Sequence, residues 1–192
     1  MERGISTLSR PALILIDIQK AFDNLNYWGG QRNNPNAENN ASKLLMLWRD
    51  SNLPIFHIKH CSLNPTSLLH ESNEANEFKE IIKPIEGEKI IKKSVNSAFI
   101  NTDLKDLLDR EKITQLVIVG LTTDHCVSTT VRMAGNYGYE TFLVSDATAT
   151  FNKKGLDGQN LSAELIHETA LASLKDEFAT VISTDLIIQT IY

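Results

Sequence analysis

Four short apolar runs constrain this chain more than any other feature: 12–16 (ALILI), 54–58 (PIFHI), 116–119 (LVIV) and 141–144 (TFLV). A fifth, 178–183 (FATVIS), lies near the end. None alternates cleanly with polar residues, so each reads as a strand covered on both faces, the mark of a parallel sheet. Helical spacing fills the gaps. Residues 36–50 place Leu44, Leu45, Leu47 and Trp48 on one stripe. Thr102 is placed to cap a helix carrying Leu104, Leu107 and Leu108, with Asp103 in its first turn. Residues 124–137 align Val127, Val131, Ala134 and Tyr137 before a stop at Gly138, and 162–175 follow a cap at Ser162. Strands alternating with helices predict an α/β fold with right-handed crossovers. In such folds ligands sit beyond the carboxyl ends of the strands, which draws attention to every reactive residue just after a run.

The 192 residues fit one domain, 1–192, with no repeat or linker to divide them. A formal net charge of −5 and the lack of any Lys/Arg-rich run point away from nucleic acid and anionic membranes as partners. The polar opening residues and the shortness of the first apolar run argue against a leader or a membrane span. The expected compartment is therefore the cytoplasm, where Cys61 and Cys126 stay reduced. Two stretches, 20–36 and 61–80, are too long and irregular for simple connections and are expected to serve function.

Three residues stand where chemistry is expected. Asp17 ends the first run; a carboxylate there loses hydration and can act as a general base if a cation accompanies it. Cys126 follows the run ending at Gly120, after a tight turn, at the start of a helix. That position favours the thiolate and supplies N–H groups to an oxyanion. The bland alternative is a structural buried thiol. At Lys92-Lys93, strand geometry sends one side chain inward, where an ammonium needs an anionic partner; by themselves the residues leave open which one, or whether both are solvated. His57, His60 and Cys61 are close in sequence, but positions 57 and 60 face opposite sides of a strand, so no metal site is expected and His57 reads as a core histidine. The segment 28–35 (WGGQRNNP) offers Trp28 as a wall and Arg32 as a partner for a substrate carboxylate, or simply a turn before a helix with Arg32 paired internally.

Three blocks, ALILIDIQKAF at 12–22, IIKKSVNSAFINTDL at 90–104 and VIVGLTTDHCVSTTVRMAGNYGYETFLVSDA at 117–147, together resemble the isochorismatase-like cysteine hydrolases, which include nicotinamidases and N-carbamoyl amide hydrolases. The resemblance covers nearly the whole chain. It implies a three-layer α/β/α, Rossmann-like fold with a mainly parallel central sheet. It implies Asp17 as base and Cys126 as nucleophile, and selects Lys93, five residues before Ala98, over Lys92. It further implies a non-proline cis peptide at Leu121–Thr122, with the N–H groups of Thr122 and Cys126 forming the oxyanion site. Gln19, Phe22 and Phe99 neighbour these motif residues and join Trp28 and Arg32 as substrate-contact candidates. The Asp-x-His pattern that accompanies metal in nicotinamidases is not found between residues 20 and 60, so neither metal nor cofactor is expected. The partners implied are a small-molecule substrate and further copies of the chain, as a dimer or tetramer.

The resulting expectation is hydrolysis of a small amide-like C–N bond through a thioester. Relatives that cleave the vinyl ether of isochorismate work without the cysteine, which makes that reaction the first alternative. A thiol redox protein using Cys126 would need Cys61 as its resolving partner. A non-catalytic binding module would need none of the three residues.

Overall fold

The computed structural model describes Ile5 and residues 9–191. Most of the polar opening segment and Tyr192 of the apolar chain end lie outside these. In chain order the elements are β1 (Ala12–Ile16), α1 (Leu25–Trp28), α2 (Ala37–Asp50), β2 (Ile55–His60), β3 (Lys89–Lys93), α3 (Leu104–Arg110), β4 (Gln115–Leu121), α4 (Ser128–Asn136), β5 (Glu140–Ala149), β6 (Lys153–Lys154), β7 (Asn160–Leu161), α5 (Ala163–Leu174), β8 (Thr180–Ile182) and α6 (Thr184–Ile191). Six strands form one sheet in the order β3-β2-β1-β4-β5-β8, every neighbouring pair parallel. β6 and β7 make a small separate hairpin.

The unalternating runs are explained by this arrangement. Ala12, Ile14 and Ile16 of β1 pack with Leu116 and Ile118 of β4 against Leu104, Leu108, Val131, Ala134 and Leu174 from α3, α4 and α5. Leu13, Leu15, Val117 and Val119 point the other way, onto Leu44, Leu45 and Trp48 of α2 and Ile187 and Ile191 of α6. Helices thus cover both faces, giving three layers. Ser162 caps α5 by accepting from the Leu165 N–H. Gly138 takes a φ of +85° just beyond α4, as the stop required. Among the described residues no helix is long and apolar enough to cross a membrane.

Differences from expectation have physical causes. β3 reads KIIKK, an edge strand whose lysines disguise it among the apolar runs. Residues 184–191 form a helix whose apolar stripe completes the α2 face of the core. The segment that carries Cys126 is not one helix. Residues 123–127 form a widened turn in which both the His125 and Val127 N–H groups reach the Thr122 carbonyl, at 3.1 and 3.3 Å, and regular helix begins at Ser128.

Gly120 is a point of close backbone approach in the sheet. Its φ is +125°, and a Cβ there would lie 2.0 Å from the Ile16 carbonyl oxygen and 2.7 Å from the Ile16 nitrogen. Gly120→Ala should therefore cost at least ~2 kcal/mol, since backbone rather than a flexible side chain would have to move. A urea unfolding midpoint equal to wild type would refute this.

Candidate active site

Four neighbouring strands each deliver one side chain to the same end of the sheet. Asp17 follows β1 directly, with φ +52° and no exposed surface. Its N–H donates to the Ile58 carbonyl and its own carbonyl accepts from Gln19, which turns the side chain inward at the strand end. On β3 the burial alternates so that Ile91 and Lys93 point inward and Ile90 and Lys92 outward. The pair that strand parity left open is thereby separated. Lys93 Nζ donates to Asp17 Oδ2 at 2.6 Å, both side chains fully buried, while exposed Lys92 pairs with Glu71. Burial alone would weaken the Lys93 ammonium; Asp17 and Cys126 beside it more than offset that and raise its pKa.

Cys126 enters from the turn after β4, 8% exposed. Its thiol contacts Asn96 Oδ1 at 3.7 Å, and its sulfur lies within 4.8 Å of an Asp17 carboxylate oxygen. The Leu121–Thr122 peptide that leads into this turn is cis. The thiolate-favouring position expected of a helix start is corrected here. Burial first, and then the Asp17 carboxylate, push the thiol pKa up, with Lys93 pulling the other way. This favours the neutral thiol, and Asp17 Oδ1, buried and without a hydrogen-bond partner among the described residues, is the unsatisfied acceptor nearby. Below the turn, Thr123 Oγ1 meets His167 Nδ1 at 2.9 Å, and Asp124 is held by Thr150 and Lys153.

The fourth side chain is His60, at the end of β2, which the sequence analysis weighed only as a metal ligand beside His57 and Cys61 and gave no role at the site. Its Nδ1 lies 2.9 Å from Lys93 Nζ and 3.9 Å from Asp17 Oδ2. The signal was available: it is the last residue of its strand, at the edge where ligands bind. Asn96, inside a recognised block, was likewise not singled out. Asp17, His60 and Cys126 could be read as metal ligands, since one donor atom from each falls within 4.8 Å of the others. The Lys93 ammonium, however, already bonds both Asp17 and His60, so the donor set is organised around a cation supplied by the chain itself. His57, by contrast, is buried in the core beside Glu88 at 2.8 Å.

The candidate substrate contacts divide. Phe22 and Trp28 stack at 4.5 Å, Phe151 lies 6.2 Å from each, and Leu121 belongs to the same cluster, so these aromatics abut the turn that carries the cis peptide. Trp28 is fixed by its Nε1–H to the Ala21 carbonyl at 2.8 Å. Phe99 packs between Tyr137 and Tyr139 in the cluster that includes Cys126. Two assignments are corrected. Gln19 has no exposed surface and spends its amide on the His60 backbone and the Asn76 carbonyl. Arg32 makes a two-pronged bond to Glu38, at 2.7 and 2.5 Å, so its charge is answered within the protein.

That pair has a pH signature. Burial would raise the Glu38 pKa, but Arg32 and Lys79 more than offset it and hold the carboxyl at about 2, against an ordinary 4.5. Its stabilising contribution is complete above the unfolded-chain value of 4.5 and is lost as pH falls toward about 2. The total is on the order of 3 kcal/mol. Urea unfolding of wild type should weaken more steeply over this acid range than that of Glu38→Gln; parallel curves would remove the pair from the account.

The isochorismatase domain family matches residues 11–185. The isochorismatase family protein YrdC of Bacillus subtilis is 50% identical over 179 residues, covering 93% of this chain and 95% of its own. Nicotinamidase 3 of Arabidopsis thaliana is 27% identical over 187 residues, covering 91% and 85%. A solved isochorismatase-family structure from Chromobacterium violaceum superposes with a TM-score of 0.93 at 38% identity, over 99% of this chain and 98% of that one. With a domain match running from the first strand into the last helix, and a half-identical relative over almost its full length, the chain belongs to the isochorismatase family.

Proposed function

We propose that this chain is a cysteine hydrolase that cleaves the C–N bond of a small amide-like substrate through a thioester on Cys126. The observation that carries the reading is the buried Asp17–Lys93 ion pair beside the Cys126 thiol, with one Asp17 oxygen left without a partner. Kinship with a protein named a nicotinamidase supports amide chemistry.

In this mechanism Asp17 takes the thiol proton as sulfur attacks the carbonyl carbon. Lys93 keeps carboxylate and sulfur in register and offsets the charge that moves between them. The N–H groups of Thr122 and Cys126 hold the oxyanion, a contribution of ~3–4 kcal/mol in sites of this type. Collapse of the tetrahedral adduct breaks the C–N bond, and Asp17 returns the proton to the leaving nitrogen. Water then gives its proton to Asp17 and its oxygen to the acyl carbon, the C–S bond breaks, and the thiol is restored. The reading calls for a small-molecule substrate, no cofactor and a cytoplasmic setting, with the chain assembled as a dimer or tetramer.

The test is ammonia or amine release from a panel of primary amides, ureido acids and cyclic amides, with rapid acid quenching and intact mass. A turned-over substrate should leave an acyl mass on Cys126. Turnover with no such adduct under single-turnover conditions would replace the thioester by direct attack of water.

A further inference from the structure

The Lys93 ammonium has three protons and, with its side chain fully buried, no water to take them. One goes to Asp17 Oδ2 at 2.6 Å and one to His60 Nδ1 at 2.9 Å, while Cys126 lies beside it. An ammonium accepts nothing, so Nδ1 must be the acceptor, and the proton of the neutral ring is then fixed on Nε2. The strand end that carries this ring is clamped. Gln19 accepts from the His60 N–H at 2.9 Å, and Gln19 and Asn76 donate to its carbonyl at 3.0 and 2.7 Å. Both clamping amides are themselves buried. His60 keeps 13% of its side chain exposed, whereas Asp17 and Lys93 keep none. Among the described residues the ring makes polar contacts with Lys93 and Asp17, and Nε2 is not among the buried atoms lacking a partner. Nε2 therefore keeps some contact with the surface, on a ring with a nitrogen within 4.8 Å of the Cys126 sulfur and an Asp17 oxygen.

We propose that His60 is a positioning and specificity-determining residue of this site: Nδ1 holds the Lys93 ammonium between Asp17 and Cys126, and the Nε2–H is offered to an acceptor oxygen on the substrate. This rests on the cysteine hydrolase reading above and adds to it a fourth residue with two separable roles. The residues that face the ring with charge or a titratable proton are Lys93, Asp17 and Cys126.

The two ring nitrogens can be replaced one at a time. Asparagine places an amide oxygen near the Nδ1 position, and glutamine reaches an N–H toward the Nε2 position. In a Cys61→Ala background, so that Cys126 is the only thiol, His60→Ala should lower kcat/KM roughly tenfold to hundredfold on an amide that the parent hydrolyses. His60→Asn should recover kcat more than KM, and His60→Gln should recover KM more than kcat. His60→Ala within about twofold of the parent in both constants would overturn the proposal, as would Asn and Gln variants that melt like the parent yet are as impaired as alanine in both. If His60→Ala does not fold, the Asn and Gln variants decide alone. Iodoacetamide alkylation of Cys126 separates this proposal from the mechanism it rests on. If no amide is turned over, a Cys126 alkylation rate changed by His60→Ala and restored by His60→Asn still supports the Lys93-positioning role. An unchanged rate overturns it.

Discussion

Cys126→Ala is expected to lower amide hydrolysis by about 10⁴-fold or more while leaving a folded protein, because the step it removes from the proposed mechanism is bond formation itself. The fold tolerates the change on packing grounds. The residue sits in a turn already closed by bonds from His125 and Val127 to the Thr122 carbonyl, and losing one sulfur opens only a small void, worth ~1 kcal/mol. Ammonia release and a thermal melt on the same preparation check both halves. A variant with near-parental turnover would shift the chemistry toward attack by water, as in the cysteine-independent vinyl ether reaction. A variant that loses turnover and unfolds would say nothing about nucleophilicity, and Cys126→Ser would then be measured in its place.

Lys93→Met should be damaging twice over. It removes the cation that holds Asp17 and the thiol in register in the proposed mechanism, so turnover should fall with it. It also strands the Asp17 carboxylate where neither side chain has exposed surface; breaking one member of a buried pair costs roughly 3–5 kcal/mol. Asp17→Asn with Lys93→Met removes both charges and should regain a large part of that stability without regaining turnover. Urea midpoints across this double-mutant cycle provide the check. A single variant as stable as the parent would mean that the pair contributes nothing to folding, and a double variant no better than the single would mean that Asp17 is not what Lys93 stabilises.

The sheet was legible in the sequence because β1, β4 and β5 are buried on both faces, which leaves apolar runs with no polar alternation to confuse them. β3 was not legible as one of these runs, because an edge strand can carry Lys89, Lys92 and Lys93 along its length. Asp17 and Cys126 were marked by standing just past strand ends, and Lys93 by the resemblance that chose between two neighbouring lysines. What the sequence hid were partnerships across long separations. Gln19 finds His60 forty-one residues away, and nothing in the glutamine's own segment announces that it braces the strand end carrying the histidine. Arg32 and Glu38 are only six residues apart, and their bond is the internal pairing that the sequence offered beside a substrate role, made as the loop before α2 folds back over the helix start. The raised pKa of the thiol was hidden as well, since it depends on how deeply the turn is buried beside Asp17, not on the turn's place before a helix.

The sheet order β3-β2-β1-β4 has a consequence for how this protein and its relatives can diverge. Lys93, His60 and Asp17 stand at the ends of three consecutive strands, and the Cys126 turn follows the fourth. Adjacent strands lie about 4.8 Å apart, a spacing set by backbone hydrogen bonds and indifferent to side-chain identity. The sheet thus acts as a ruler, marking off these four positions at fixed intervals whatever the loops above them do. On the proposed function, lengthening or rewriting the connections around residues 20–36 and 61–80 would change which molecule is admitted without redrawing the distances at which it reacts. Descendants of such a scaffold can alter their diet while keeping their teeth in place.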